Sequence, residues 1–519
     1  MCTHSTSDIA KCGIIELPRH LHPNGSLTEV ENTDAFPFEV KRVFYLYDVP
    51  ADSERGGHSH HQAQELIIAV SGSFDVTLHD GHKQHTFSLS RPYRALYITA
   101  GVWRTLQNFS AGSVCLVLTS EEYSEADYVR DFAHFLRLTA VKDTSGRKSY
   151  PFLDLATLNA PYLDEIKRAA LSVIDSGRYI GGKEVEGLEY DLCQLTGAPY
   201  AVGVSNGLDA LRLIFRAYIE MGRLKPGDEV IVPANTYIAS VLAVTDSGLQ
   251  PVFVEPDSTT MNLSGDGVAS AIGPHTKAIL TVHLYGRAAW DEKMAETVKA
   301  HGLILVEDNA QAIGAESSSA GLYGSHSTGA LGHAAAFSFY PTKNIGAVGD
   351  AGAITTYDST LAAAVAALRN YGSDRRYHNI YAGLNCRLDP IQAAMLRVKL
   401  RHLDDVTEHR RALARIYSSR IANPKVQLPV IESPDLSVWH QYVVRVADRE
   451  KFREYLASQG VQTDVHYATP PHLQPCYSQY AGLCLPVTCR IADEVVSLPI
   501  SSCTTESDAR EIADIINRF

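Results

Sequence analysis

The chain has 519 residues and a formal net charge of −13, its 46 lysines and arginines dispersed among 59 acidic residues. That balance excludes the basic footprint of a nucleic-acid binder, and the length exceeds what one ordinary core fills, so two or three domains are expected. Nine cysteines at irregular spacings without a CxxC pair, no long apolar run near the start and no apolar stretch of the ~18 residues that span a bilayer together predict an untargeted, cytoplasmic protein without a membrane segment.

From residue 1 to 140 the pattern is one of short strands and turns. In RGGHSHHQAQELIIAVSG, Arg55 to Gly72, His58 and His60 stand two apart and so share one face of a strand, and an apolar strand follows. Next, FDVTLH puts Phe74, Val76 and Leu78 on one face, Asp80 and Gly81 make a hairpin turn, and TFSLS alternates again. An all-β unit is expected. TAVKDTSGRKS is polar, contains glycine and has no apolar period, so a linker is placed at 141–149.

Residues 150–519 alternate helix and strand. Leu208, Leu211, Phe215 and Tyr218 form a helical stripe; the strand DEVIVPA, a helix in IASVLAVTDSG, the strands PVFVE and AILTVHL, a helix over MAETVKAHG and the strand LILVED follow. This order predicts a mostly parallel sheet wrapped by helices. Five features in it converge on pyridoxal phosphate. Asn206 and Gly207 open a helix whose free N–H groups and dipole can hold a phosphate. Tyr237 follows a strand, placed to stack on a planar ring. Asp308 ends a buried strand, where a lone carboxylate is costly unless a cation such as pyridinium meets it. Gln311, one turn on, can reach the ring's phenolic oxygen. Ser338 can bind phosphate while Lys343 forms the Schiff base.

The stretches SGRYIGGKEVEGLE, SNGLDALRL, PGDEVIVPANTYIA, VHLYG, VEDNAQA, AFSFYPTKNIGAVGDAGAI, LRNYGSD and LNCRLDPIQAAMLRVKL resemble the DegT/StrS family of sugar aminotransferases over nearly all of 150–519. The resemblance implies the α/β type I aminotransferase fold, with Lys343 as the Schiff-base lysine, Asp308 on the pyridine nitrogen, Gln311 on the phenolic oxygen and Tyr237 stacked. It assigns the phosphate to Gly207, Leu208 and Ser338. Asn385 would reach the phosphate of a neighbouring subunit, so a homodimer is implied, with L-glutamate as amino donor. A lysine at 343, where related dehydratases carry histidine, implies transamination. Asn309 departs from the family's usual alanine, and Ala468 from its usual proline.

KRVFYLYDV, RGGHSHHQAQELIIAVSG, DVTLHDG, LYITAGVWRTLQNFS and LVLTSEEYSEADYVRDF resemble the FdtA/WxcM-like sugar-nucleotide 3,4-ketoisomerases over about 12–137. These are cupins, small jelly-roll barrels. The resemblance implies His58 and His60 as an acid/base pair, with Arg42, Tyr45, Arg55 and Tyr97 lining the pocket. His58, His60, Glu65 and Gly72 keep a cupin metal spacing, but the later histidine ligand falls at Arg104. No metal is therefore expected; an ion pair between Glu65 and Arg104 would compensate both departures, and Arg104 counts among the pocket residues. The two halves imply a bifunctional enzyme. By these resemblances TDP-4-keto-6-deoxyglucose would be isomerised to the 3-keto sugar and then aminated at carbon 3, giving a TDP-3-amino-3,6-dideoxyhexose. The alternative is a carbon-4 aminotransferase whose cupin is a separate isomerase or epimerase, or a non-catalytic sugar-nucleotide-binding module.

Overall fold

Alternating burial along short strands builds the first part of the molecule. Phe74, Val76 and Leu78 are buried while Asp75, Thr77 and His79 between them are half-buried, so the strand has one core face. The computed structural model describes residues 9–32, 36–50, 53–81, 83–139, 148–431 and 433–519. They form two compact units, Met1–Ser149 and Tyr150–Phe519. Residues 141–147 of the expected linker lie outside the described residues.

The main strands of the first unit are β1 (Gly13–Glu16), β2 (Arg42–Leu46), β3 (Arg55–His60), β4 (Glu65–Ser71), β5 (Phe74–His79), β6 (Gln84–Leu89), β7 (Arg94–Ile98), β8 (Trp103–Gln107), β9 (Val114–Thr119) and β10 (Tyr128–Val129). They make two five-stranded sheets, ordered β1-β7-β4-β9-β2 and β10-β3-β8-β5-β6. Ile67, Leu96 and Val117 from one sheet pack with Val76, Leu78 and Leu106 from the other. The product is the two-sheet β architecture of a cupin. One irregularity matters for the site. His58 pairs with Arg104 but Arg55 with Leu106, a register shift across Gly56. Gly56 has φ +72°, and a Cβ there would meet the Arg104 Nη1 at 2.5 Å, so the bulge needs glycine.

In the second unit the central sheet contains β11 (Tyr200–Val204), β12 (Glu229–Pro233), β13 (Gln250–Val254), β14 (Thr276–Val282), β15 (Ile304–Asp308), β16 (Ala334–Ser338) and β17 (Gly352–Thr356). Its order is β11-β17-β16-β15-β14-β12-β13. Pairings from β13 through β16 are parallel, whereas β17 runs antiparallel to both neighbours. All five residues of β15 are buried, which is why LILVED is a continuous apolar run ending in an acid. Helix α1 (Gly207–Glu220) buries Leu211, Phe215 and Tyr218; α2 (Ile238–Asp246) and α3 (Glu292–His301) also flank the strand run. A C-terminal lobe packs β18 (Tyr442–Arg445) and β19 (Val495–Leu498) with α4 (Leu403–Arg420) and α5 (Glu506–Ile516) around Tyr417, Tyr442, Leu498 and Ile512. No disulfide joins the cysteines among the described residues. None of the described helices is long and apolar enough to cross a membrane.

Candidate active sites

In the second unit the parallel strands deliver their C-terminal ends to one edge, and the chemistry gathers there. Asp308 closes β15 and is buried. Its carboxylate accepts from Ser240 Oγ at 2.7 Å and from the Ala310 backbone N–H at 3.1 Å. Ser240 in turn lies 2.9 Å from the Thr236 hydroxyl, so Asp308 has a fixed orientation. Lys343 is partly buried; burial lowers its pKa, and the charge of Asp308 works in the opposite direction. The lysine-bearing loop is anchored through Asn344, whose side chain donates to Val438 O at 3.1 Å and lies 2.9 Å from the buried His440 Nδ1. Burial, and then the nearby Lys343 charge, hold His440 well below the usual imidazole range, so it stays neutral.

Gln311 accepts from the Tyr285 backbone N–H at 2.7 Å and donates to the Tyr467 hydroxyl at 3.1 Å. The Tyr467 ring lies 5.1 Å from that of Tyr237. Tyr237 is 53% exposed, which leaves its ring able to face a ligand. Asn206 caps α1 by accepting from Asp209 N at 2.8 Å. A Cβ on Gly207 would sit 2.7 Å from the Ser338 Cβ, so the first turn of α1 and the end of β16 approach as only glycine permits. Leu208 follows in that first turn. Asn385 lies exposed, in a β-bridge to Asn370. Lys343, Asp308, Gln311, Gly207 and Ser338 therefore suit pyridoxal phosphate: a desolvated amine, a fixed buried carboxylate and a close-packed helix start for an anion. Ser240, Tyr467 and His440 join this site without having been singled out from the sequence. Ser240 follows Tyr237 by three positions in PANTYIAS, a helical spacing that could have revealed it.

In the first unit His58 and His60 project from β3 with ring centroids 5.0 Å apart. Both are buried, and among the described residues neither Nε2 has a hydrogen-bond partner. Glu65 from β4 and Arg104 from β8 form a two-pronged ion pair between the sheets, buried to 2% and 3% exposure. Arg104 Nη2 donates to Glu65 at 2.6 Å, Nε donates to the other carboxylate oxygen, and Nη1 reaches Gly56 O at 3.2 Å. Burial pushes the Glu65 pKa up, but the Arg104 charge and hydrogen bonds outweigh it and hold the carboxyl well below the usual range. Burial, then the Arg104 charge, push His58 down to about 3. His58, His60 and Glu65 place potential ligand atoms within 4.8 Å of one another. The guanidinium already engages both oxygens of Glu65, so this donor set does not fit a divalent cation.

Two further groups complete the centre. Asp127 Oδ2 lies 2.9 Å from His60 Nδ1. Tyr128, opposite His60 in the β10 to β3 pairing, places its ring 4.7 Å from that of His58 and 4.3 Å from that of His60. Arg42 donates to the Tyr128 hydroxyl at 3.3 Å. Arg55 is exposed; its pairing with Leu106 turns it to the same face as His58 because of the Gly56 bulge. Tyr45 and Tyr97 are not brought to the histidines. On β2 it is Phe44 that packs toward the inner core, leaving Tyr45 on the outer face 5.7 Å from Tyr47. On β7 Leu96 and Ile98 point inward, so Tyr97 packs outside against Phe38 and donates to Gln64.

Residues 162–517 match the model of the DegT/DnrJ/EryC1/StrS aminotransferase family. The chain belongs to that family. Residues 10–140 match the FdtA model, described as WxcM-like, C-terminal, so the polypeptide is a fusion of the two. A dTDP-3-amino-3,6-dideoxy-alpha-D-galactopyranose transaminase of Aneurinibacillus thermoaerophilus is 47% identical over 71% of this chain and 99% of its own length. A dTDP-3-amino-3,4,6-trideoxy-alpha-D-glucose transaminase of Streptomyces venezuelae is 42% identical over 71% and 96%. Among solved structures, S. venezuelae DesV has a TM-score of 0.67 at 43% identity, covering 71% of this chain and 98% of its own. Bacillus subtilis NtdA, solved with bound PMP, has a TM-score of 0.65 at 29% identity, covering 72% and 86%. The DegT-family unit is accordingly a PLP-dependent aminotransferase.

Proposed function

We propose that the chain is a bifunctional sugar-nucleotide enzyme. Its first unit moves the carbonyl of TDP-4-keto-6-deoxyglucose from carbon 4 to carbon 3, and its second replaces that carbonyl with an amine taken from L-glutamate. One observation carries the reading: relatives of the aminotransferase unit are named for 3-amino sugars, and the same polypeptide supplies an FdtA-like unit with two buried imidazole nitrogens that have no hydrogen-bond partner among the described residues. A 3-amino sugar requires a 3-keto precursor.

In the isomerase unit, proton removal at carbon 3 and proton return at carbon 4 pass through an enediol. His58, neutral across the physiological range, can accept a proton, and His60 on the same strand face completes the pair. The Arg104 guanidinium, fixed by Glu65, supplies permanent positive charge beside oxygen atoms that become negative in the enediol. In the aminotransferase unit, bound pyridoxal phosphate supplies an electron sink that carries the amino group from donor to ketone. Lys343 anchors the cofactor and shuttles the proton at the reacting carbon, a task suited to an amine whose ammonium form burial disfavours. Asp308, held by Ser240, would stabilise a protonated pyridine nitrogen. Gln311 would meet the phenolic oxygen, Tyr237 the ring face, and Gly207, Leu208 and Ser338 the phosphate. Exposed Asn385 serves the phosphate site of a second copy, which makes the working form a homodimer.

Two full-length variants test the reading by NMR in the presence of glutamate. Lys343→Ala is expected to accumulate the TDP-3-keto isomer without amination, and His58→Asn to leave the 4-keto substrate unchanged. Unimpaired 3-keto formation by His58→Asn would remove the histidine centre from the reaction.

A further inference from the structure

The segment between β9 and the helix Phe132–Thr139 lies in a stretch that carries the resemblance but holds no residue given a role from the sequence, yet it closes the histidine centre. Glu125–Asp127 form one 3-10 turn, and pairing of β10 with the edge of β3 brings the turn onto His60. Asp127 Oδ1 accepts from the Gln62 backbone N–H at 2.7 Å, and Oδ2 accepts from the Ala63 N–H at 3.2 Å. The carboxylate is thus held from the backbone on both oxygens. Among the described residues the third partner of its side chain is His60 Nδ1, at 2.9 Å. With the acceptor role fixed on Asp127, the hydrogen of this contact belongs to His60 Nδ1.

We propose that Asp127 is the positioning residue of the isomerase centre, fixing His60 in the tautomer that carries hydrogen on Nδ1 and leaving Nε2 as the nitrogen that exchanges a proton with the sugar. The proposal rests on the isomerase reading for its function, though not for its geometry. Among the described residues His60 Nε2 has no hydrogen-bond partner; it stands 3.4 Å from Glu65 Oε1, an oxygen that Arg104 Nη2 already engages at 2.6 Å, so Nε2 is the nitrogen left for a ligand. Tyr128, the next residue, covers both imidazoles and keeps the His60 ring from turning away. An unheld imidazole would distribute its hydrogen over both nitrogens and lose part of its productive population.

The test uses the full-length holoenzyme without an amino donor, so that only isomerisation of TDP-4-keto-6-deoxyglucose runs. In Asp127→Asn the side-chain oxygen keeps the shorter bond from Gln62 and turns its NH2 to His60, forcing the opposite tautomer. A fall in kcat of about 10²- to 10⁴-fold is expected, as for an imidazole held in the wrong tautomer, with KM changed less than about threefold. Asp127→Glu, which keeps the carboxylate, is expected to recover at least about tenfold of that loss. Nitrogen-15 spectra of labelled histidine, with the His60 signal assigned by its loss in His60→Gln, read the tautomer directly: Nδ1 protonated in the wild type, exchanged in Asp127→Asn. Wild-type protein that shows the Nε2-protonated neutral tautomer overturns the proposal, as does Asp127→Asn with kcat within threefold of wild type. A wild-type enzyme that does not isomerise the sugar sinks the functional reading instead, while the spectrum still decides the tautomer.

Discussion

Glu65 and Arg104 form the most consequential pair in the β unit, and a double-mutant cycle weighs them. Both side chains are nearly inaccessible and joined by two hydrogen bonds across the two sheets. Glu65→Gln removes the anion and strands a buried guanidinium, whereas Arg104→Met strands a buried carboxylate. Each single substitution is expected to cost about 3–5 kcal/mol, because an uncompensated buried charge loses hydration without regaining a partner. For a unit of this size that is a fall of roughly 10 °C or more in its unfolding midpoint. The double variant Glu65→Gln, Arg104→Met leaves no stranded charge and should lie well above the sum of the singles, with a coupling of at least about 2 kcal/mol. Scanning calorimetry of the four proteins reads the cycle. Single variants within about 1 kcal/mol of wild type, or a double equal to the sum of the singles, would refute the inference that the pair is charged and mutually compensating.

Other expectations follow from the same kinds of contact. The folded pKa of His58, about 3, lies below its ordinary value, so the unfolded chain binds the proton first. Stability should therefore fall as pH drops from about 6.5 toward 3, by roughly 2 kcal/mol at pH 5 from this group, and His58→Asn should flatten that slope in urea unfolding. Asn309 is buried with both side-chain polar atoms unpartnered among the described residues. Asn309→Ala, the residue more usual in the family, is expected to raise stability by about 1 kcal/mol; a measured loss would mean that the amide has a partner. Gly207→Ala must push Ser338 away from the start of α1 and should weaken cofactor affinity at least about tenfold in an absorbance titration.

Much of the second unit was legible because buried parallel strands leave continuous apolar runs, and LILVED ends in the acid that the site uses. The antiparallel β17 and the strand order were not, since they follow from pairings between segments far apart in the chain. In the first unit the two-residue spacing of His58 and His60 was readable, and the Arg104 departure from the metal pattern pointed correctly to the ion pair with Glu65. Tyr45 and Tyr97 were misplaced for a physical reason. VFYLY and ALYI are apolar at successive positions, with Phe38 covering part of the outer face of β7, so alternation could not assign their sides. Asp127 and Tyr128 escaped because they stand more than sixty residues from His60, in a short turn and a two-residue strand without periodicity. Only the closure of β10 on the edge of β3 brings them to the site.

The central claim is that both units act in succession on one sugar, and the position of the new amine tests it most directly. Wild-type protein incubated with TDP-4-keto-6-deoxyglucose, pyridoxal phosphate and L-glutamate should yield a product whose NMR correlations place nitrogen on carbon 3, and His58→Asn should yield none. Nitrogen on carbon 4 in the wild-type product would contradict the account.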